Sequence, residues 1–424
     1  MKQAALSIDA LRQAVLRLPD DALTATREAA LANLNEHGLP TTRNEDWKYT
    51  DLSAAIDISN RWLKTGATSA STGSLAESIA RIMASIDANW LIIANGLIDA
   101  SHFTATPAIE FEKFSDSAAP LIMDRPLADL NAALLHDGLR VRINAATEKP
   151  LGILIIDEAS AGAAMSQANV EVNVAPGCDA EIVEYQSSAG SDDHYANSVV
   201  TLKVGQAATA RYVRIQDRRI GHVQTARLSI DMGADSRLNM ASFDLGGGLV
   251  RNDIDIDLRE PGSDTVFNGL YLASDGQHID NHTRVDHRVG PATSSQEYRG
   301  ILNGRCRCVW NGKAIVHKGA DGTDASQANH NLLLSDQAEI DTKPELEIYA
   351  DDVKCSHGTT VGQLDEAALF YLRTRGLDKR QAIQLLTYAF AADIVSRTPV
   401  VSAKAAVESL VEARLADLIK DDAS

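Results

Sequence analysis

Glycine-bearing turns recur through the middle of this 424-residue chain at Gly177, Gly205, Gly233, Gly262, Gly290 and Gly319, with spacings of 28, 28, 29, 28 and 29. Ahead of the first four, apolar residues alternate with mostly polar ones: Val170/Val172/Val174, Val200/Leu202/Val204, Leu228/Ile230/Met232 and Ile254/Ile256/Leu258. Alternation with period two marks a strand with one buried face. Repeated at a near-constant period, it marks a solenoid in which each repeat is one coil and equivalent strands stack in parallel. A β-sandwich would turn roughly every 8–12 residues instead. The crossover rule for parallel strands makes the coil right-handed. The expected fold is mainly β, a right-handed parallel β-helix flanked by helical regions. The expected units are residues 1–145 (helical, α+β), 146–362 (β-helix) and 363–424 (helical).

Composition narrows the function classes. A formal charge of −18 at pH 7 offers no broad basic surface to release phosphate counterions, which argues against nucleic acid and against anionic membrane surfaces. No apolar run reaches membrane-spanning length, since Trp90-Leu91-Ile92-Ile93-Ala94 is strand-sized. Four cysteines do not make a disulfide framework, and Asp9 comes too early for a signal peptide, so a cytoplasmic location is expected. The run Leu151–Glu158 imitates the strand and Asp-Glu of P-loop ATPases, but no G-x-x-x-x-G-K-[ST] exists to cradle phosphates. It reads as a plain buried strand, and the chain is not expected to hydrolyse ATP by itself.

The flanks read as helices. Leu6, Leu11, Val15 and Leu16 form one apolar face, and Pro19-Asp20-Asp21 opens a second helix through Leu31 and Leu34 to Gly38. Arg43–Leu52 is irregular and anchored by Trp47 and Tyr49; residues 64–75 are rich in Gly, Ser and Thr and expected to be mobile. A hairpin turns at Asn95-Gly96, and a helix runs from Pro126 to His136, ended by Gly138. After Gly362 the period becomes 3.6. Leu364, Ala368, Leu369 and Leu372 lead to Gly376, Asp378 caps a second helix that stops near Pro399, and a third spans Ser402 to Ile419. Helices at a solenoid end either cap its strand edges or dock a partner. Composition favours neither.

Several constellations carry possible chemistry. Cys355 and His357, in Lys354-Cys355-Ser356-His357-Gly358, sit two apart on one face of an extended segment. They read either as a soft metal-binding pair or as a small buried cysteine beside a hydrogen-bonded histidine. Val285, His287 and Val289 take the apolar positions before Gly290, so His287 is expected to face inward. His278, Asp280, His282 and Asp286 form a cluster without any H-E-x-x-H pattern. Cys306 and Cys308 read as inward apolar thiols. Asp253, Asp255 and Asp257 share one strand face and support an alternative reading, a β-helix carbohydrate-active enzyme with paired carboxylates; a solvated outer face is the simpler account. Only 5% of the chain is aromatic, thin for sugar-stacking platforms.

The run Asp324–Ser335, through Ala338–Tyr349 into Cys355-Ser356-His357-Gly358 and Leu369–Gly376, strongly resembles the SufB/SufD scaffold family of the SUF iron–sulfur system. Trp47-Lys48-Tyr49-Thr50 and Leu130-Asn131-Ala132-Ala133 resemble its N-terminal part. The SufB branch usually carries an acidic Glu-His-Glu-Ala-type sequence where this chain has Lys354–Gly358, so the resemblance is to the SufD branch. The resemblance implies a non-catalytic scaffold subunit that pairs with a SufB-type paralogue through the β-helix end. It also implies a SufC-type ATPase docked on the C-terminal helices, with Leu364, Leu369, Phe370, Tyr371, Leu372, Arg373 and Arg375 as candidates. Cys355 and His357 would meet transient iron or a nascent cluster at the heterodimer junction, with no cofactor held stably by this chain alone. A homodimer in the absence of partners, or a metal-free homodimeric adaptor, remains open.

Overall fold

The computed structural model describes residues 5–65, 73–117, 125–160 and 162–420. Its N-terminal part comprises α1 (Ile8–Val15), α2 (Thr24–His37), α3 (Ser53–Thr65) and α4 (Gly73–Ser85), then strands β1 (Asn89–Ala94), β2 (Leu97–Asp99) and β3 (Ile109–Lys113), and α5 (Pro126–Leu134). The second helix starts at Thr24 rather than at Pro19, and Leu16 is exposed rather than part of the first helix's face. Of the segment expected to be mobile, residues 66–72 lie outside the described residues, while Gly73 already opens α4. The hairpin turns as expected: β1 and β2 are antiparallel, and Asn95 (φ 52°) and Gly96 (φ 77°) take the left-handed conformations a tight hairpin turn needs.

The solenoid follows. Its strands are β4 (Leu139–Ile143), β5 (Leu151–Ala159), β6 (Ala164–Val174), β7 (Asp179–Gly190), β8 (His194–Val204), β9 (Thr209–Asp217), β10 (Val223–Met232), β11 (Arg237–Asp244), β12 (Leu249–Leu258) and β13 (Asp264–Ala273). They continue as β14 (His278–His287), β15 (Thr293–Leu302), β16 (Arg307–Val316), β17 (Asp324–Leu333), β18 (Glu339–Ile348) and β19 (Lys354–Gly362). Even-numbered strands from β4 to β18 stack in one parallel sheet and odd-numbered strands from β5 to β19 in the other, so each coil contributes a strand to both. The four alternating segments of the sequence are β6, β8, β10 and β12, in direct register: Val170 faces Val200, which faces Leu228, which faces Ile254. In the next coil the inward row is Thr283, Val285 and His287. His287 is buried inside, donating to or accepting from Ser294 Oγ at 2.9 Å, whereas Val289 lies in the turn and is exposed. The recurring glycines serve two different needs. Gly262 supplies a left-handed φ of 78°. At Gly205 a Cβ would come within 2.7 Å of the Pro176 backbone, so only glycine lets adjacent coils approach.

Between the sheets runs a lumen. One side is apolar, filled by Val170, Leu202, Ile230, Tyr212, Met240 and Phe267. Along the corner where odd strands end and even strands begin, buried polar side chains pair with one another, though Arg218 Nη2, Asp157 Oδ1 and Asp244 Oδ2 are buried without a partner. Arg218 binds Asp157 at 2.7 Å; Arg214 reaches Asn252 at 2.7 Å, Gln186 at 3.1 Å and Asp244 at 3.2 Å. Burying guidinium groups is tolerable only with this degree of pairing.

The C-terminal helices are α6 (Glu366–Thr374), α7 (Lys379–Ser396) and α8 (Val401–Lys420). They match the three expected helices, and Asp378 caps α7 through Gln381 N at 2.8 Å. The tail does not cap the solenoid. Ala391, Ile394, Val395, Val407, Val411 and Leu415 pack instead on the outer face of the odd-strand sheet, against Val213, Phe243, Leu270, Leu272 and Ile301. Arg299 (2.8 Å to Phe390 O) and Asn303 (2.7 Å to Leu418 O) tie the helices down.

Candidate functional site

Cys355 and His357 stand in β19, the last strand of its sheet, opposite Ala325 and Gln327 of β17. One coil further back the same positions are Ser294 and Gln296, and before them Thr265 and Phe267, a lumen residue. The thiol and imidazole therefore share the inward row, side by side at the mouth of the lumen, as the spacing requires. Cys355 is half-buried, and that burial pushes its thiol pKa up, with Asp324 adding to the rise and the Ala325 backbone opposing it. His357 is exposed. Behind them the lumen is polar: Asn329 Oδ1 accepts from Thr342 Oγ1 (2.8 Å) and Asn331 Nδ2 (2.7 Å), and Gln327 Nε2 donates to Glu345 O (2.8 Å) while its Oε1 is buried without a partner.

The frame around this pair is an open edge. β18 and β19 each end their sheet, so ten- and nine-residue strands carry one unpaired side. Ile348, Tyr349 and Val361 are exposed along it. A thiol and an imidazole suit iron, but two ligands do not complete a site. Among the described residues no group of three His, Cys, Asp or Glu is placed to hold a metal ion.

Of the tail candidates, Leu369, Phe370, Tyr371, Leu372 and Arg373 fall on α6, Arg375 is its C-cap and Leu364 precedes its N-cap Asp365, whose side chain accepts from Ala367 N (2.8 Å). No residue of α6 is buried. Leu364, Leu369 and Leu372 are half-buried, Arg373 and Arg375 exposed, and Phe370 (69% exposed) and Tyr371 (56%) stand outward with Arg375 stacked 5.1 Å from the Tyr371 ring.

Other constellations resolve into structure. The outward row His278, Asp280 and His282 is absorbed by the Trp47 loop: Thr50 Oγ1 contacts His278 Nε2 at 2.8 Å and bonds Asp280, and Arg251 bridges Asp280 (2.6 Å), Asp253 (2.8 Å) and Asp46 O (2.9 Å). Burial pushes the Asp280 carboxyl up, but Arg251 and His282 outweigh it and hold the pKa well below the usual range. The aromatic anchor is as expected, and its partners are arginines: Arg251 lies 4.4 Å over Trp47 and Arg307 5.4 Å over Tyr49. Cys306 and Cys308 are buried in the lumen core as expected. Asp253, Asp255 and Asp257 are not a solvated face but rungs of an Arg–Asp ladder with Arg125, Arg227, Arg251, Arg259 and Arg288. Sequence reasoning also missed Asn131. Buried, its Nδ2 donates to Ala168 O (3.0 Å) and Asn197 O (2.9 Å), pinning α5 across β6 and β8.

No helix among the described residues is long and apolar enough to cross a membrane. Comparison with known proteins matches residues 155–390 to the SufBD core domain of SUF-system FeS cluster assembly and residues 9–61 to the SufBD N-terminal region. The chain is 28% identical to the iron–sulfur cluster assembly protein SufD of Escherichia coli, over 86% of each chain. It is 29% identical to an iron–sulfur cluster assembly SufBD family protein of Synechocystis, over 93% of this chain and 92% of that one. A SufD of Bacillus subtilis is 26% identical over 72% of this chain and 70% of its own. With over half its length inside the core model and its first helices inside the companion model, the chain belongs to the SufB/SufD family of iron–sulfur cluster assembly proteins.

Proposed function

We propose that this chain is a SufD-like, non-catalytic scaffold subunit in iron–sulfur cluster assembly, joined to a SufB-type paralogue through the open solenoid end and to a SufC-type ATPase through α6. The observation that carries the reading is the long unpaired edge of β18 and β19, with exposed apolar residues and the Cys355–His357 pair at its mouth. A second parallel solenoid docked there would pair the free backbone groups and cover Ile348, Tyr349 and Val361. It would also bring the further ligands that a transient iron ion or cluster, here the cargo, needs beyond one thiol and one imidazole. The half-buried, raised-pKa thiol would then deprotonate on meeting the metal, as thiolate ligands do. Exposed Phe370 and Tyr371 on a helix with no buried residue favour a docking role for α6 over a structural one. Nucleotide-driven approach of two ATPases would move the helices and reshape the junction, given a different affinity of the partner for each state. The carbohydrate-enzyme alternative loses its candidates, because each of Asp253, Asp255 and Asp257 is engaged by arginine.

Co-purification of the full chain with the cell's own SufB-type and SufC-type proteins tests the assembly. Phe370→Ala with Tyr371→Ala is expected to keep the paralogue and lose the ATPase; truncating the tail is uninformative because α7 and α8 belong to the core. Capture of neither partner by the unmodified chain would overturn the scaffold reading. His357→Ala should abolish cluster formation in the assembled complex without disturbing the fold. Normal assembly by a Cys355→Ala, His357→Ala double variant would leave the metal-free adaptor standing.

A further inference from the structure

α4 and α8 both bury apolar residues on the outer face of the odd-strand sheet, yet where they face each other they leave a cavity of about 890 Å³. Two helices serving only to cover a sheet would close this gap with Leu or Ala. Instead α4 turns Ser74, Ser78, Arg81 and Ser85 toward it, a stripe at helical spacing. The floor is the buried Tyr185, Ser187 and Ser188 of β7, and the far wall is Ser409 and Arg414 of α8. Arg219, exposed, also lines it.

Three guanidinium groups thus surround one hydroxyl-lined space in a chain whose formal charge is −18. Arg414 is committed: its Nε binds Asp217 Oδ1 at 3.1 Å, and Tyr185 also reaches Asp217, at 3.4 Å. Arg81 and Arg219 are different. Among the described residues no carboxylate lies within ion-pairing distance of either, Glu77 on the cavity's own wall included. Along the outer face of the other sheet, by contrast, Arg125, Arg227, Arg251, Arg259 and Arg288 all sit in carboxylate pairs.

We infer that this cavity binds a small soluble phosphate-bearing molecule, held by Arg81 and Arg219 with the hydroxyls of Ser78 and Ser409 as further donors. The other serines are engaged: Ser74 donates to Glu158 Oε1 (2.6 Å), Ser85 to Ile82 O (2.7 Å) and Ser187 to Asp217 O (3.2 Å), and Ser188 Oγ meets Arg219 N (3.0 Å) and His222 Nδ1 (2.8 Å). Planar guanidinium forks match phosphate oxygens two at a time, and hydroxyl donors complete the set without adding charge. The volume falls in the range of small-molecule sites, about 300–1,000 Å³. Ile220, Leu410 and Ala189 also line the cavity and supply apolar surface for a body beyond the phosphate. Because its walls come from the N-terminal α4, from β7 and from the C-terminal α8, an occupant would fasten three distant parts of the chain together. The site lies apart from the open end, so the inference does not depend on the scaffold reading.

The test is calorimetric titration of the full chain with inorganic pyrophosphate at low ionic strength, with citrate as a carboxylate control. Saturable binding is expected, weakened about tenfold or more by Arg81→Ala with Arg219→Ala. Lysine at both positions should restore part of it. Hydrogen exchange should slow in α4 and α8 together when pyrophosphate is present. Absence of saturable binding, or binding that the double alanine variant leaves unchanged, overturns the site; citrate binding as tightly as pyrophosphate overturns the phosphate assignment. The melting temperature of the double variant separates lost binding from lost folding.

Discussion

The two ends of the solenoid solve the same problem in opposite ways. At the N-terminal end, the parallel stacks finish in short antiparallel strands, β2 of three residues and β3 of five, and helices α3, α4 and α5 lie over the first coils. At the C-terminal end, two full-length strands finish the stacks with no strand among the described residues paired across them, and the helices that follow run back along the flank. Short, covered edges protect a monomer from edge pairing; long, flat, partly apolar edges invite it. On the scaffold reading proposed above, a partner strand would complete this edge. The difference separates the part of the molecule that folds the chain from the part that presents it.

Four measurements test that division, from the largest expected effect downward. Asp157→Asn, in the closed half, leaves Arg218 buried with only neutral partners and should cost about 3–5 kcal/mol in urea unfolding. A loss below about 1 kcal/mol would mean the corner polar network is not holding the coils. Ile153→Ala, fully buried in the first coils, should cost about 2–5 kcal/mol. The third is a pH dependence. Burial lowers the His194 pKa from 6.5 to about 3, and that of His222 to about 4, in both cases chiefly because water is excluded. The unfolded chain then binds more protons than the folded one below pH 6.5, so stability should fall as pH drops from 6.5 toward about 4. His194→Gln with His222→Gln should flatten that slope; an unchanged urea-midpoint profile would show that other groups carry it. Smallest is Val361→Ala on the open edge, expected within about 0.5 kcal/mol of the parent in unfolding yet weaker in pull-down of the paralogue. A large stability loss there would erase the contrast between the ends.

Much of this was legible in residues. The period near 28 and the alternation in β6, β8, β10 and β12 gave the stacking and its register, because those strands are buried on one side and lined with ion pairs on the other. The odd-strand sheet was not legible in the same way. In β9, Tyr212 and Ile215 fall on opposite faces and both are buried, since α7 and α8 cover the outside. A strand buried twice loses its alternation and reads as an unpatterned apolar run. Val289 entered the wrong row because the glycine of that coil serves a different turn position from Gly205. The Cys355–His357 pair was visible from spacing alone. That it lies at a lumen mouth, and that Asp253, Asp255 and Asp257 are neutralised rather than solvated, depended on strands far apart in sequence.

By itself the sequence determined the coil, the helices and the pairing of a thiol with an imidazole, all of which follow from local periodicity and i, i+2 geometry. Only the tertiary structure decided which way the C-terminal helices turn. Their apolar faces pack on the flank of the odd-strand sheet rather than across its end. That choice, made by burial rather than by any local signal, left the last two strands open.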